Sequence, residues 1–166
     1  MRVQEWPTGF AGRTGDCVRV QLEAVIVDTR EKSPFEFEGL GLEVVRQKLD
    51  VGDYSVKGHK VAVERKSAQD FVGTMAIAAN RSRFVREMAR AEEEGIALTV
   101  VVEASWAGAH AACIARSAMS PHRLLDSAMA ISARFRVPFM FADDRAEAQS
   151  MTLSVLRGYM GLGDVR

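Results

Sequence analysis

Cysteine is scarce: two residues in 166, Cys17 and Cys113, far apart and without partner spacing. Such a pair makes neither a zinc constellation nor a disulfide framework, and it fits a reducing cytoplasm, which is the expected location. No run approaches the ~18 apolar residues of a membrane span. Residues 1–17 carry no apolar core segment after Arg2, which argues against a secretory signal and leaves an N-terminal arm, ordered or half-ordered. Charge of either sign is not in excess. Lys plus Arg and Asp plus Glu both number 22, for a formal net charge of zero. That is a mild argument against avid nucleic-acid binding, which leaves a basic footprint, although an acid-rich site balanced by local basic patches gives the same sum. Internal repeats and low-complexity segments are also missing. What remains, 48% apolar and 27% charged residues in a chain of this length, is the composition of one soluble globular domain over residues 18–166, large enough to bury a real core.

The informative stretch is Leu49-Asp50-Val51-Gly52-Asp53-Tyr54, followed after a basic turn by Val61-Ala62-Val63-Glu64-Arg65-Lys66-Ser67. The second run is apolar, short and β-branched, as a buried strand should be. Alternate residues of a strand share a face, so Glu64 and Lys66 project together and Arg65 lies with Val61 and Val63. With Asp53 adding a second carboxylate, these residues can hold Mg²⁺ or Mn²⁺ through oxygen ligands. The cation would neutralise phosphate charge and lower the pKa of bound water, while Lys66 serves the nucleophile. Taken alone, the same residues also fit a turn aspartate beside a surface Glu-Lys pair.

Two neighbouring runs favour the chemical reading. Ala24-Val25-Ile26-Val27 is another apolar strand that leads into Asp28 and Glu31, and acids at the ends of separate buried strands are costly to gather unless a cation binds them. Ser67-Ala68-Gln69-Asp70 is a helix-start signature, so the strand ends where a helix begins and its last side chains sit at an open edge. Downstream, Arg83, Arg86 and Arg90 share one face of a helix over about 80–94, beside an apolar face of Phe84, Met88 and Ala91. An arginine stripe of this kind tracks a nucleic-acid backbone or forms a solvated face paired with Glu87, Glu93 and Glu94; both readings stay open.

On these residues the chain resembles the nuclease domain of the XPF-type structure-specific endonucleases, a branch of the PD-(D/E)XK restriction-endonuclease-like superfamily. The family's order of motifs stands here as Val27-Asp28-Thr29-Arg30-Glu31, Val51-Gly52-Asp53-Tyr54, Val63-Glu64-Arg65-Lys66-Ser67-Ala68-Gln69-Asp70-Phe71, Arg83-Phe84 and Val100-Val101-Val102-Glu103. The resemblance covers roughly residues 22 to 160. It implies a restriction-endonuclease-like mixed sheet flanked by helices, and an active site of Asp28, Glu31, Asp53, Glu64 and Lys66. Asp53 and Glu64 would be principal ligands of Mg²⁺ or Mn²⁺, with Asp28 a further ligand, and Arg65, Arg83 and Arg86 would lie near phosphate. Arg65 would steady either phosphate or a neighbouring carboxylate. The implied activity is metal-dependent hydrolysis of DNA phosphodiesters, on branched or flapped DNA in repair or recombination. The implied partners are DNA and either a second copy or another protein supplying DNA-gripping elements. The chain departs from the family between the first helix and Arg83, where Arg81 competes for the match, and it carries no helix-hairpin-helix module. A non-catalytic DNA-binding or scaffold subunit, and a resolvase or restriction-type enzyme, are the rival functions on the same fold.

The remaining expectations are an extra edge strand at Val18–Leu22 or a lead from there into the first core strand, a strand over Leu42–Arg46, and a helix from Ser67 to Ala79 packed through Phe71, Val72, Met75 and Ile77. Then follow a central strand Ala97–Glu103, a short helix or loop over Trp106–Arg116, and a helix opened by Pro121 with Leu124, Leu125, Ala128, Met129 and Ser132 at helical spacing. A last strand near Val137–Phe141, at an edge or with Pro138 as its first residue, and a closing helix with Ala148, Met151, Leu156 and Tyr159 as core complete a mixed sheet of five or six strands. His110 with Cys113 is too small a donor set for a metal, and His59 reads as a solvated loop residue.

Overall fold

A computed structural model describes residues 24–40 and 42–161; the expected arm and the strand at 18–22 lie outside them. Six strands form one sheet in the order β2-β1-β3-β4-β5-β6: β1 (Ala24–Val27), β2 (Glu43–Arg46), β3 (Tyr54–Ser55), β4 (Val61–Ser67), β5 (Ala97–Glu103) and β6 (Phe139–Phe141). Only the two-residue β3 runs against its neighbours, and the other pairings are parallel. This arrangement decides where chemistry can occur. β1, β4 and β5 end at the same edge at which β3 begins, so residues just beyond three strands and just before a fourth are brought together.

Five helices cover the sheet: α1 (Ala68–Ala76), α2 (Ala78–Glu94), α3 (Trp106–Arg116), α4 (Pro121–Phe135) and α5 (Arg145–Gly161). The strand period separates two cores. Ala62 of β4 with Leu98, Val100 and Val102 of β5 pack against Phe71, Met75, Phe84, Met88 and Leu124 from α1, α2 and α4. Val61, Val63 and Val101, one residue out of phase, pack with Phe35, Phe37 and Tyr54 and with Ala148, Leu153 and Leu156 of α5. Each large side chain in these cores contributes on the order of 2 kcal/mol by leaving water.

The expected helix from 67 to 79 is two helices. Ile77 is extended, with φ −93° and ψ 118°, and its side chain is 53% exposed rather than packed on the sheet. The first turn of α2 holds the break: Asn80 Nδ2 donates to Gly73 O, which also accepts the Ile77 amide, and Arg81 Nη1 donates to Met75 O near the end of α1. Ser67 caps α1, as expected, by accepting from the Asp70 amide. Trp106–Arg116 is a full helix capped by Ser105, with Cys113 buried and donating to Met119 O. In α4 the buried positions are Leu124, Ala128 and Ile131, while Met129 is exposed; in α5 Tyr159 is exposed and not core. β6 lies at the sheet edge, and Pro138 stands just before it, where the lack of an N–H costs no ladder bond.

Candidate active site

The site is built on the turn between β2 and β3. Gly52 has φ +72°, and a Cβ there would stand 3.1 Å from both Ala62 Cβ and Val63 O, so only glycine lets the turn lie this close to β4. The Asp53 amide then donates to Val63 O at 2.8 Å, and Asp53 O accepts from the Asp28 amide at 2.8 Å. The turn is thereby sewn between β1 and β4, and Asp53, Glu64 and Lys66 line one open cleft of about 650 Å³.

Burial and the nearby Glu64 charge push the Asp53 carboxyl up to about 8, although its Oδ2 accepts the Arg65 amide at 2.8 Å. Glu64 Oε1 accepts from Lys66 Nζ at 2.8 Å, and that ammonium stands 4.6 Å from the centre of the Phe84 ring. Glu87, from α2, lines the same cleft and accepts from the Gly52 amide at 3.2 Å. Its carboxyl is raised by burial and then by the Glu64 charge, against the Gly52 bond and the nearby Lys66 and Arg90. Sequence reasoning assigned Glu87 only to pairing with arginines. Its place four residues after Arg83, and so on the same helix face, is the signal that could have found it.

Asp28 and Glu31 also line the cleft, but both are engaged. Asp28 Oδ1 accepts from the Arg30 amide and Nε, and its Oδ2 from Arg30 Nη2 and the Leu49 amide, at 2.6 to 3.0 Å. Burial alone would raise this carboxyl, yet these bonds hold it below its ordinary value. Four donors thus reach this carboxylate, and through the Leu49 amide Asp28 holds the segment that leads into the turn. Among the described residues no three His, Cys, Asp or Glu side chains gather closely enough to hold a metal ion by themselves. Glu31 Oε1 accepts from Arg65 Nη2 at 3.1 Å, while Arg65 Nη1 reaches Glu103 Oε2 at 2.8 Å. Burial disfavours the Arg65 charge, but the Glu31 bond and the charges of Glu31 and Glu103 raise its pKa. The guanidinium thus joins the Glu31 and Glu103 carboxylates.

The arginine stripe divides. Arg83 is exposed and lines the cleft; Arg90 Nη1 donates to Asp50 O at 3.0 Å; Arg86 is exposed and does not line the cleft. Arg81, the competitor for the Arg83 match, is occupied at the junction of α1 and α2. His59 is exposed in its loop.

A mixed sheet with helices on both faces and an acid-lined cleft where its strand ends meet is the restriction-endonuclease-like architecture. The ERCC4 domain matches residues 27–155, and the chain belongs to that family, one of structure-specific nucleases. Two solved structures of XPF from Aeropyrum pernix are similar. One, a complex with DNA, is 25% identical, with a TM-score of 0.67, over 87% of this chain and 69% of that one. The other is 23% identical, with a TM-score of 0.62, over 86% and 66%, and bears on the fold alone. The chain thus spans about two thirds of the length of these proteins. Among curated proteins nothing matches. No helix among the described residues is long and apolar enough to cross a membrane.

Proposed function

We propose that the chain is a metal-dependent DNA endonuclease that hydrolyses phosphodiester bonds in the cleft of Asp53, Glu64 and Lys66, on branched or flapped DNA. The observation that carries the reading is a charge deficit. Asp53, Glu64 and Glu87 face one cleft, the one ion pair any of them makes among the described residues is that of Glu64 with Lys66, and Asp53 is held up to about 8 by burial and by Glu64. Like charges so placed are matched by a divalent cation, and Mg²⁺ is ordinarily held by one or two carboxylates with waters and phosphate oxygens completing its shell. Asp53 and Glu64 fit that donor set, whereas Asp28, bonded by Arg30 and Leu49, shapes the turn that carries Asp53. When bound, Mg²⁺ or Mn²⁺ would neutralise phosphate charge and lower the pKa of the attacking water.

The chain's own residues divide the remaining work. Lys66 orients the water or helps to remove its proton, and its charge stabilises the pentacovalent phosphate. Arg83, exposed on the wall of the cleft, takes a neighbouring phosphate through charge-assisted bonds. Arg65 and Glu31 fix the floor. The solved DNA complex of the Aeropyrum pernix protein supports DNA as the ligand here.

The test is cleavage of labelled duplex, splayed-fork, flap and single-stranded DNA with Mg²⁺, Mn²⁺ or EDTA, beside Glu64→Ala. Metal-dependent cutting that the variant loses supports the reading, and the ranking of substrates gives the preferred DNA form. Salt-sensitive binding without cutting in any metal would overturn it in favour of a scaffold subunit.

A further inference from the structure

The residue that the proposed mechanism leaves unused is Glu87. It stands one turn before Arg90 on α2, and the two side chains hold the same turn from one helix: Glu87 Oε1 accepts from the Gly52 amide at 3.2 Å, and Arg90 Nη1 donates to Asp50 O at 3.0 Å. Between the Asp50 anchor and Asp53 lie only the buried Val51 and the left-handed Gly52, and Gly52 approaches β4 so closely that an added Cβ would stand 3.1 Å from Ala62 Cβ and Val63 O. The Gly52 amide donates to α2 and the Asp53 amide to β4, so the two peptide planes that flank Gly52 are each held, one by the helix and one by the strand. Arg83, one turn before Glu87 on the same face, reaches the cleft.

From this geometry we propose that Glu87 is a positioning residue. Through the Gly52 amide it locks the turn that presents Asp53, and it ties the orientation of that carboxylate to the helix that carries Arg83. A carboxylate 1 Å out of place costs a nuclease far more than it costs the fold. Glutamate is not needed for its charge in this role: any side chain that accepts at the same distance would serve. The consequence for turnover rests on the function proposed above, while the lock itself does not.

Amide hydrogen exchange and single-turnover cleavage, measured on Glu87→Ala and Glu87→Gln, separate these claims. Glu87→Ala should lose ~10-fold or more of the exchange protection of the Gly52 and Asp53 amides, the loss expected for one buried hydrogen bond, with core amides of β5 unchanged. Glu87→Gln, which keeps an acceptor and drops the charge, should restore that protection. Cleavage should follow the same order, with kcat lowered in Glu87→Ala and KM little changed. Unchanged protection in Glu87→Ala, or a glutamine variant as impaired as the alanine one, would overturn the positioning role. Wild-type protein that cuts no DNA would count against the proposed function alone, since the exchange measurement still decides the lock.

Discussion

Strand β4 sends Arg65 toward α5 and Glu64 with Lys66 toward α1 and α2, and the two polar clusters that result differ in how their charges are matched. On the α5 side, Glu31 and Glu103 alternate with Arg65 and Arg145. Arg145 Nη1 meets Glu103 Oε1 at 2.6 Å, and its Nη2 caps the carbonyls of Ser33 and Pro34. Two acids and two bases close a chain that staples the loop after β1 to β5 and α5. On the other side Asp53, Glu64 and Glu87 stand near Lys66, whose ammonium bonds Glu64 alone. The same strand period that separates the two cores therefore separates a cluster whose acids are both ion-paired from one in which, among the described residues, Glu64 alone is. A cluster of the first kind holds a fold together; one of the second kind is costly to fold unless something cationic binds.

Lys66→Ala tests the unmatched side most severely. Cleavage should fall roughly a hundred- to ten-thousand-fold, the range for losing a general acid or base together with a charge on the transition state. Thermal unfolding should remain cooperative, because the ring of Phe84 and the strand ladder stay in place. Retained turnover would move Lys66 out of the mechanism and weaken the distinction between the clusters.

Arg65→Ala tests the matched side. Arg65 is partly buried between Glu31 and Glu103, and its removal strands carboxylates with little access to water. Breaking such a pair from one end costs about 3 kcal/mol, to be read from urea unfolding. Arg145 still serves Glu103, which keeps the figure from rising further. A loss under ~0.5 kcal/mol, the level of an exposed pair, would mean that the staple is ornamental.

The pH dependence of stability sharpens the contrast. Asp53 has its carboxyl raised from 3.8 to about 8 in the folded protein by burial and by Glu64, so the native state binds a proton more tightly than the unfolded chain does. In EDTA, this group's favourable contribution is complete below the unfolded value and is lost as pH rises from about 4 to about 8. Asp28, held low by Arg30 and the Leu49 amide, works in the opposite sense at the acid end. Asp53→Asn keeps an acceptor for the Arg65 amide and removes the charge. The variant should therefore be nearly equal to wild type in stability at pH 4 and increasingly more stable as pH rises to 8. Added Mg²⁺ should stabilise wild type at pH 8 and leave the variant unmoved.

These two clusters also mark how far the sequence could be read. The pairing of Glu64 with Lys66, and the opposite placement of Arg65, follow from strand alternation alone, because β4 is long, apolar and followed at once by a capped helix. The sheet and most helices were legible for the same reason: strong periodicity with clear ends. β3 was not, since two residues carry no period. The break at Ile77 was hidden because the reach of Asn80 and Arg81 back to Gly73 and Met75 joins side chains to backbone carbonyls, which apolar periodicity does not register. Asp28 is the instructive case among the candidate site residues. The motif places it with the other acids, but whether its oxygens are free depends on Arg30 and Leu49, and nothing in the spacing counts hydrogen bonds. Glu87 escaped because charged residues on a helix read as solvated until the turn they touch is known.

Arg83 is the residue where the two sides of β4 should be easiest to tell apart in binding. It is exposed on the wall of the acid-lined cleft, and among Arg83, Arg86 and Arg90 it is the one lining that cleft. As a phosphate contact it carries no sequence information, so Arg83→Ala should weaken DNA binding about equally on every sequence and reduce the slope of log affinity against log salt by about 1. Arg145→Ala, on the matched side, should leave that slope as it is, because its guanidinium is already held by Glu103 and two carbonyls. Titrations of both variants between 50 and 200 mM salt, a range over which phosphate contacts separate clearly, decide the point. An equal change of slope in both would mean that DNA lies across α5 as well, and that the α5-side cluster is not reserved for the fold.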